Sequence, residues 1–244
     1  MKKKEKTQGE LVYGTHSVLE LLKAKRRKII SIYTVKPVLK IWPTIEKLLP
    51  KYPINIQYVT RDVLARIAGS ADHQGILAWA DAYPFRKQFF SSDKSPFLLM
   101  LDGVQDIRNL GAILRSAYCA GVDGIILIKK QAAPLNAAAH KASAGFAEHL
   151  QIYEAPSIEA AAQDLSQAGY QLYLATFEGE SAIDCAFKGP LCIVMGSEGT
   201  GISKSLYRSG THVTIPQKTT DISYNVSVAA GILLVMAATK NKKI

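Results

Sequence analysis

The chain has 244 residues, 48% hydrophobic, 20% charged and 8% aromatic, with net charge +10 and a pI near 9.4. That balance excludes disordered and collagen-like chains, and the longest apolar stretch, VSVAAGILLVMAA, is shorter than the roughly 18–20 residues of a membrane span. The N-terminus MKKKEKTQGE is basic, but it has no apolar run behind it and no Arg, so it reads as neither secretory signal nor transit peptide.

After this tail (1–10), THSVLELLKAKRRK reads as a helix. Thr15 is its N-cap candidate, Val18, Leu19 and Leu22 its apolar stripe, and the cluster Lys25–Lys28 lies where it would complement the C-terminal dipole. Strand IISIYTV, helix PTIEKLLPK, strand INIQYV, helix RDVLARIAG and strand HQGILAWAD follow. This alternation predicts a small α/β sandwich domain over 11–83. YPFRKQFFSSDKSP, with two prolines and mixed charge, reads as a linker over 84–95. Residues 1–95 hold 18 Lys and Arg against 8 Asp and Glu, whereas residues 96–244 hold 12 of each. The excess charge therefore sits in the front part and favours a polyanion such as nucleic acid or an acidic membrane surface. Part of it is also a solvated tail, Lys2, Lys3, Lys4 and Lys6.

A second domain over 96–244 alternates more regularly. FLLMLD, GIILIK, LQIYEA, YQLYLAT, LCIVMG and HVTIP read as strands buried on both faces. LGAILRSAYCAG, AAAHKASAG and SIEAAAQDLSQAG read as the helices between them, and a last helix runs from about Asn225 to Lys240. An open parallel α/β sheet places its ligand site beyond the carboxyl ends of such strands.

Three segments occupy that position. DGVQDIRNLGAILRSA crowds Asp102, Asp106, Arg108, Asn109 and Arg115 around one strand-to-helix turn. MGSEGTGIS offers Gly196, Gly199 and Gly201 around Glu198. It is not a Walker loop, because Ile202 follows where Lys is needed, and its G-x-x-G-x-G order does not match the dinucleotide fingerprint. In IPQKTTDISYNVSVAAG, Ser223 and Asn225 open the final helix, where Ser-x-Asn is also an ordinary cap. The five histidines and three cysteines show no metal-ligand spacing, so no metal site is expected. The cysteines (Cys119, Cys185, Cys192) are far apart with no CxxC, which fits a reducing, cytoplasmic compartment. No nucleophile elbow is present.

Taken in this order, NLGAILRSA, IVMGSEGTGIS and IPQKTTDISYNVSVAA resemble the three motifs of the SpoU family of RNA ribose 2′-O-methyltransferases, within the SPOUT superfamily. The front strings VYGTHSVLELLKA and HQGI, with KASAGFAEHL further on, resemble the 23S ribosomal RNA guanosine subfamily and its ribosomal-protein-like RNA-binding domain. The resemblance implies a C-terminal α/β domain tied in a trefoil knot, an exception to the rule against threaded chains. It also implies S-adenosylmethionine as methyl donor, ribosomal RNA as substrate and a homodimer whose site is completed by the partner subunit. On matching positions, Gly196, Ile215 and Tyr224 would line the donor, while Asn109, Arg115, Glu198, Ser223 and Asn225 would surround the reacting ribose. The chain departs from the family pattern in three places: Tyr224 stands where Leu is usual, Gln217–Asp221 lacks a glycine, and Ile107 replaces a proline.

Arg115 is the residue expected to matter most. A guanidinium is not a ready base, so its implied role is to clamp a substrate phosphate and stabilise the developing alkoxide. Competing readings are a transfer RNA methyltransferase, an antibiotic-resistance methylase of the same family, a non-catalytic RNA-binding protein on the same scaffold, and a doubly wound dehydrogenase.

Overall fold

A computed structural model describes residues 9–94, 96–129, 132–219 and 221–244. The tail up to residue 8 and Thr220 of the Gln217–Asp221 loop lie outside the described residues. In chain order the first elements are β1 (Glu10–Tyr13), α1 (Thr15–Ala24), β2 (Ile29–Thr34), α2 (Trp42–Leu48), β3 (Asn55–Tyr58), α3 (Arg61–Ala68) and β4 (Ile76–Ala80). Then come β5 (Phe97–Asp102), α4 (Ile107–Cys119), β6 (Gly124–Ile128), α5 (Ala137–Ala142), β7 (Ile152–Ala155) and α6 (Ile158–Gln167). The chain finishes with β8 (Gln171–Ser181), β9 (Leu191–Gly196), β10 (Thr211–Thr214) and α7 (Val226–Lys240). Two compact units result, one formed up to Pro84 together with Leu135–His149, the other by Phe85–Pro134 and Leu150–Ile244.

In the first unit the strand order is β1-β4-β2-β3, with β4 antiparallel to β1 and β2, and β3 parallel to β2 at the edge. Alternate residues of β4 face opposite sides. Ile76 and Ala78 join Val18, Leu21 and Leu22 of α1 and Ile45 of α2, while Leu77 meets Leu64 of α3. Each fully buried aliphatic side chain contributes about 1.5–3 kcal/mol. The sequence describes α3 best. The Thr60 hydroxyl accepts from the Val63 N–H, and Gly69, at φ 63°, ends the helix where only glycine is unstrained.

Two readings of this unit change. β1 is absent from the sequence reading because ELVY is too short to show a period, yet it pairs with β4 along its whole length. The first helix stops at Ala24 instead of running through the basic cluster, and its N-cap is Gly14, not Thr15. Arg27 then turns inward and is buried. Its guanidinium donates to Glu148 Oε1 at 2.8 Å, Glu10 Oε2 at 2.9 Å and the Asp81 carbonyl at 2.6 Å. Such acceptors are what make burying a charge tolerable.

The second unit is a fully parallel sheet ordered β10-β8-β9-β5-β6-β7. Leu98, Met100, Ile126 and Val194 pack beneath Ile158 and Leu165 of α6. The alternate residues Leu99, Leu101 and Ile193 are buried on the opposite face, where α7 packs on β9 and α4 on α7. Residues 85–94 belong to this unit, and Phe90 is buried in its core. A Cβ on Gly124 would come 2.2 Å from the Phe90 ring, so that strand position excludes a side chain. No helix among the described residues is long and apolar enough to cross a membrane.

From β5 the chain moves outward to β6 and β7, then fills the other side with β8, β9 and β10, so strand order reverses between β5 and β9. In open α/β sheets the ligand crevice lies at that reversal, beyond the carboxyl ends of the strands. Asp102 and Gly196, the last residues of β5 and β9, are register partners there.

Candidate active site

The first two motifs therefore leave the sheet side by side. The chain after β9 folds into a tight hairpin in which Ser197 and Gly201 exchange both backbone hydrogen bonds at 3.0 Å. The Ser197 hydroxyl also accepts from the Thr200 N–H at 3.1 Å. This fold presses Gly201 onto Gly196: a Cβ on Gly196 would lie 2.2 Å from the Gly201 carbonyl carbon. Glycine at 196 is thus required by close approach of backbone. The hairpin's far end is held by the buried carboxylate of Asp102, which accepts from the Ser203 N–H at 2.6 Å and the Ser203 hydroxyl at 3.0 Å.

Helix α4 begins under this hairpin. Asp106 caps it by accepting from the Arg108 N–H at 2.7 Å, and hydrogen bonds from Arg108 hold its carboxyl below the usual carboxylate range. One residue later, Asn109 Nδ2 donates to Glu198 Oε1 at 2.7 Å. Asn109 Oδ1 in turn accepts from Asn225 Nδ2 at 3.2 Å. Asn225 Oδ1 accepts from the Ser227 N–H at 2.9 Å, which caps α7. Asn225 is thus the cap that the sequence suggests, and the other end of its amide reaches Asn109. Three segments far apart in sequence thus meet in one hydrogen-bonded chain, Glu198–Asn109–Asn225.

Beside this chain lies a cavity of about 460 Å³, within the range of small-molecule sites. Gly196, Ile215, Ser223, Tyr224, Glu198 and Asn225 all line it. Among the described lining residues Glu198 carries the only formal charge, and the walls are otherwise backbone, hydroxyl and apolar groups. Arg115 is placed differently. It is exposed on α4, and among the described residues it makes no hydrogen bond or ion pair. Of the eight site residues read from sequence, seven converge on the cavity or its hydrogen-bonded rim, and Arg115 stands apart.

The sequence reading missed Thr176 and Phe177, which also line the cavity. β8 continues to Ser181, beyond the expected end at Thr176, and its pairing with β10 jumps from Leu174 to Glu180. The intervening residues bulge and carry Phe177, 65% exposed, to the cavity. Their position after a strand end was the available signal. Gln217 was missed as well. It stands in the loop that lacks a glycine and closes it by donating to the carbonyls of Thr219 at 2.6 Å and Ile222 at 3.0 Å. No cluster of metal-binding side chains exists among the described residues.

Comparison with known proteins agrees with this geometry. The profile of the SpoU rRNA Methylase family matches residues 96–235, and the RNA 2′-O ribose methyltransferase substrate-binding profile matches residues 11–86. The chain belongs to the SpoU methylase family. One relative of this SpoU chain is the Shewanella oneidensis protein named 23S rRNA (guanosine-2′-O-)-methyltransferase RlmB. It is 34% identical over 246 residues, which cover 96% of this chain and 98% of that one. Among solved structures, one described as an RNA 2′-O ribose methyltransferase aligns with TM-score 0.82 at 21% identity, covering 97% and 90% of the two chains. The SpoU methyltransferase AviRb from Streptomyces viridochromogenes, in complex with AdoMet, aligns with TM-score 0.77 at 20% identity, covering 96% and 91%. These two share the SpoU fold with this chain.

Proposed function

We propose that the protein transfers a methyl group from S-adenosylmethionine to the ribose 2′-hydroxyl of a guanosine in 23S ribosomal RNA. The single observation that carries the reading is the Glu198–Asn109–Asn225 chain at the rim of the switch-point cavity. It is joined by the full-length similarity to a protein named for that reaction.

The cavity fits the donor. Gly196, Ile215 and Tyr224 would hold it, largely by backbone groups, and glycine at 196 lets the hairpin that forms one wall close back on β9. Glu198 gives the cavity a negative charge, the sign that suits a sulfonium. When bound, the donor supplies a methyl group on a sulfur that leaves neutral. The chain's own residues orient the acceptor: Asn109 and Asn225 have amide groups that can turn toward a hydroxyl, and Ser223 offers a further hydroxyl at the cavity wall. Arg115 clamps the substrate phosphate and stabilises the developing alkoxide, an electrostatic role in which charge placement and not proton transfer sets the rate. The proton leaves to phosphate or water.

The same reading includes a homodimer, a trefoil knot in the second unit, residues 11–83 as the RNA-binding domain and a cytoplasmic location. The dimer is supported by α7, which exposes Val228 and Val235, 49% and 51% accessible. Seven residues apart, they share one helix face, an apolar surface of the kind that marks interfaces.

The test is methyl transfer from labelled S-adenosylmethionine to separated ribosomal and transfer RNA, followed by mapping of ribose methylation. Label in one guanosine of 23S ribosomal RNA is expected. Label confined to transfer RNA would replace the substrate, and donor binding without transfer to any RNA would overturn the reading.

A further inference from the structure

Beyond the active site, the first unit carries an arrangement that the methyl-transfer chemistry does not use. Among the described residues β3 is the edge strand of its sheet and pairs only with β2. The two run parallel, with Ser31 opposite Asn55 and Thr34 opposite Tyr58. A lysine from the β2 side covers a tyrosine from the β3 side at each end of this pair. Before the strands, Lys28 Nζ sits 5.8 Å from the Tyr52 ring centroid. After them, Lys36 Nζ sits 4.4 Å from the Tyr58 ring centroid. Both lysines are exposed, and the tyrosines keep 38% and 44% of their surface accessible. Tyr52 is fixed by the Ile29 N–H, which donates to its hydroxyl at 2.8 Å. Tyr58 is backed by Trp42, 6.4 Å away between ring centroids.

We infer that the β2–β3 edge is a single-stranded RNA rail, in which Tyr52 and Tyr58 stack unpaired bases while Lys28 and Lys36 take the flanking phosphates. The inference rests on the proposed RNA methyl transfer and adds where and in what form the RNA is held. Aromatic faces beside cations are the recurring solution for unpaired strands, because every base has a π-face and every linkage a phosphate. Tyr52 and Tyr58 are six residues apart, which spans at most about 20 Å, roughly six stacked nucleotides at 3.4 Å each. RNA is favoured over a protein strand added to the same edge by charge. The front 95 residues carry the chain's whole +10 excess, and edge lysines oppose strand addition.

The test uses the full-length protein with a 12-nucleotide oligouridylate and, separately, a 12-base-pair RNA duplex, each titrated at several salt concentrations. Tyr58→Ala should weaken the single strand roughly 5- to 10-fold, the low end for removing one base stack, with an unchanged salt slope and little effect on the duplex. Tyr58→Phe should bind like wild type. Lys36→Glu, a change at an exposed side chain, should weaken binding and lower the salt slope by about 0.7 for each phosphate no longer neutralised. It also keeps the question decidable if Tyr58→Ala fails to fold. Single-strand binding unchanged in Lys36→Glu and in a folded Tyr58→Ala would overturn the rail, as would no oligouridylate binding by wild type. Self-association of Lys36→Glu with unaltered RNA affinity would assign the lysines to edge protection instead and overturn it as well. Methyl transfer by wild type to 23S ribosomal RNA is read in parallel. Its absence counts against the proposed function alone, and its presence with an unaffected Lys36→Glu counts against the rail alone.

Discussion

Asn109 and Glu198, 89 residues apart, are joined by a 2.7 Å hydrogen bond across the reversal point of the sheet. The bond ties the first turn of α4 to the hairpin after β9, and through Asn225 to the start of α7. Hydrogen bonds to a charged group contribute about 1.5–3 kcal/mol when protected from water. Glu198 is exposed, so the lower end applies. Asn109→Ala should therefore reduce kcat by about tenfold while the donor Kd changes little, because the cavity walls remain in place. Steady-state kinetics with equilibrium donor titration separate the two. A variant that loses donor binding with kcat unchanged would assign Asn109 to the donor cavity.

Arg115 stands on the same helix, exposed and without a hydrogen bond or ion pair among the described residues. A guanidinium left free is available for a substrate phosphate, and a positioned cation at developing negative charge is worth roughly 10²–10³ in rate. Arg115→Ala should cut turnover by that order and leave donor binding intact. Arg115→Lys should not restore it, since a point charge lacks the planar two-pronged donor geometry. Near wild-type turnover in Arg115→Ala would remove the residue from the mechanism.

The strands of the second unit were legible because each is a short apolar run bounded by turn residues, and three motifs follow strand ends, where the α/β rule places function. What the sequence could not show depended on partners distant in the chain. Arg27 reads as one of four basic residues at the C-terminal end of a helix, and its burial is explained by Glu10, Asp81 and Glu148. The ELVY strand exists because β4 pairs with it. Phe177 reaches the cavity through a register jump between β8 and β10 that no local pattern encodes. Asn225 looked like a cap and is one, while its other amide end donates to Asn109, 116 positions away.

The Asp102–Ser203 pair should matter to stability and donor affinity together. Asp102 is buried and accepts two hydrogen bonds from a residue 101 positions away. Asp102→Ala leaves the Ser203 N–H without its acceptor, a cost of about 1–3 kcal/mol. In a unit of this size that lowers Tm by roughly 2–10 °C, and the freed hairpin should weaken donor binding as well. Asp102→Asn, which keeps one acceptor oxygen, should fall between. Thermal unfolding and donor titration check both, and a lowered Tm with unchanged donor affinity would limit the pair to a structural role.

His140 makes the pH dependence of the first unit specific. It is 2% exposed, and burial, reinforced by the Arg27 guanidinium, lowers its pKa to about 3. An unfolded histidine titrates near 6.5. Between those values the unfolded chain binds more protons than the folded one, so stability rises with pH through this window and is lost as pH falls through it. The slope is at most about 1.4 kcal/mol per pH unit for one proton. Glu148 acts with the opposite sign, since burial raises its carboxyl pKa and the fold then retains a proton that the unfolded chain has released. His140→Gln leaves Glu148 in place, so the difference between the two proteins isolates the histidine. The wild-type Tm should fall more steeply than that of the variant from pH 6.5 to 4.5. His140 Nδ1 lies 3.2 Å from Glu148 Oε1 but is not aligned for a hydrogen bond. Equal slopes would therefore mean that the pair is ionic in the fold and that His140 holds its proton there.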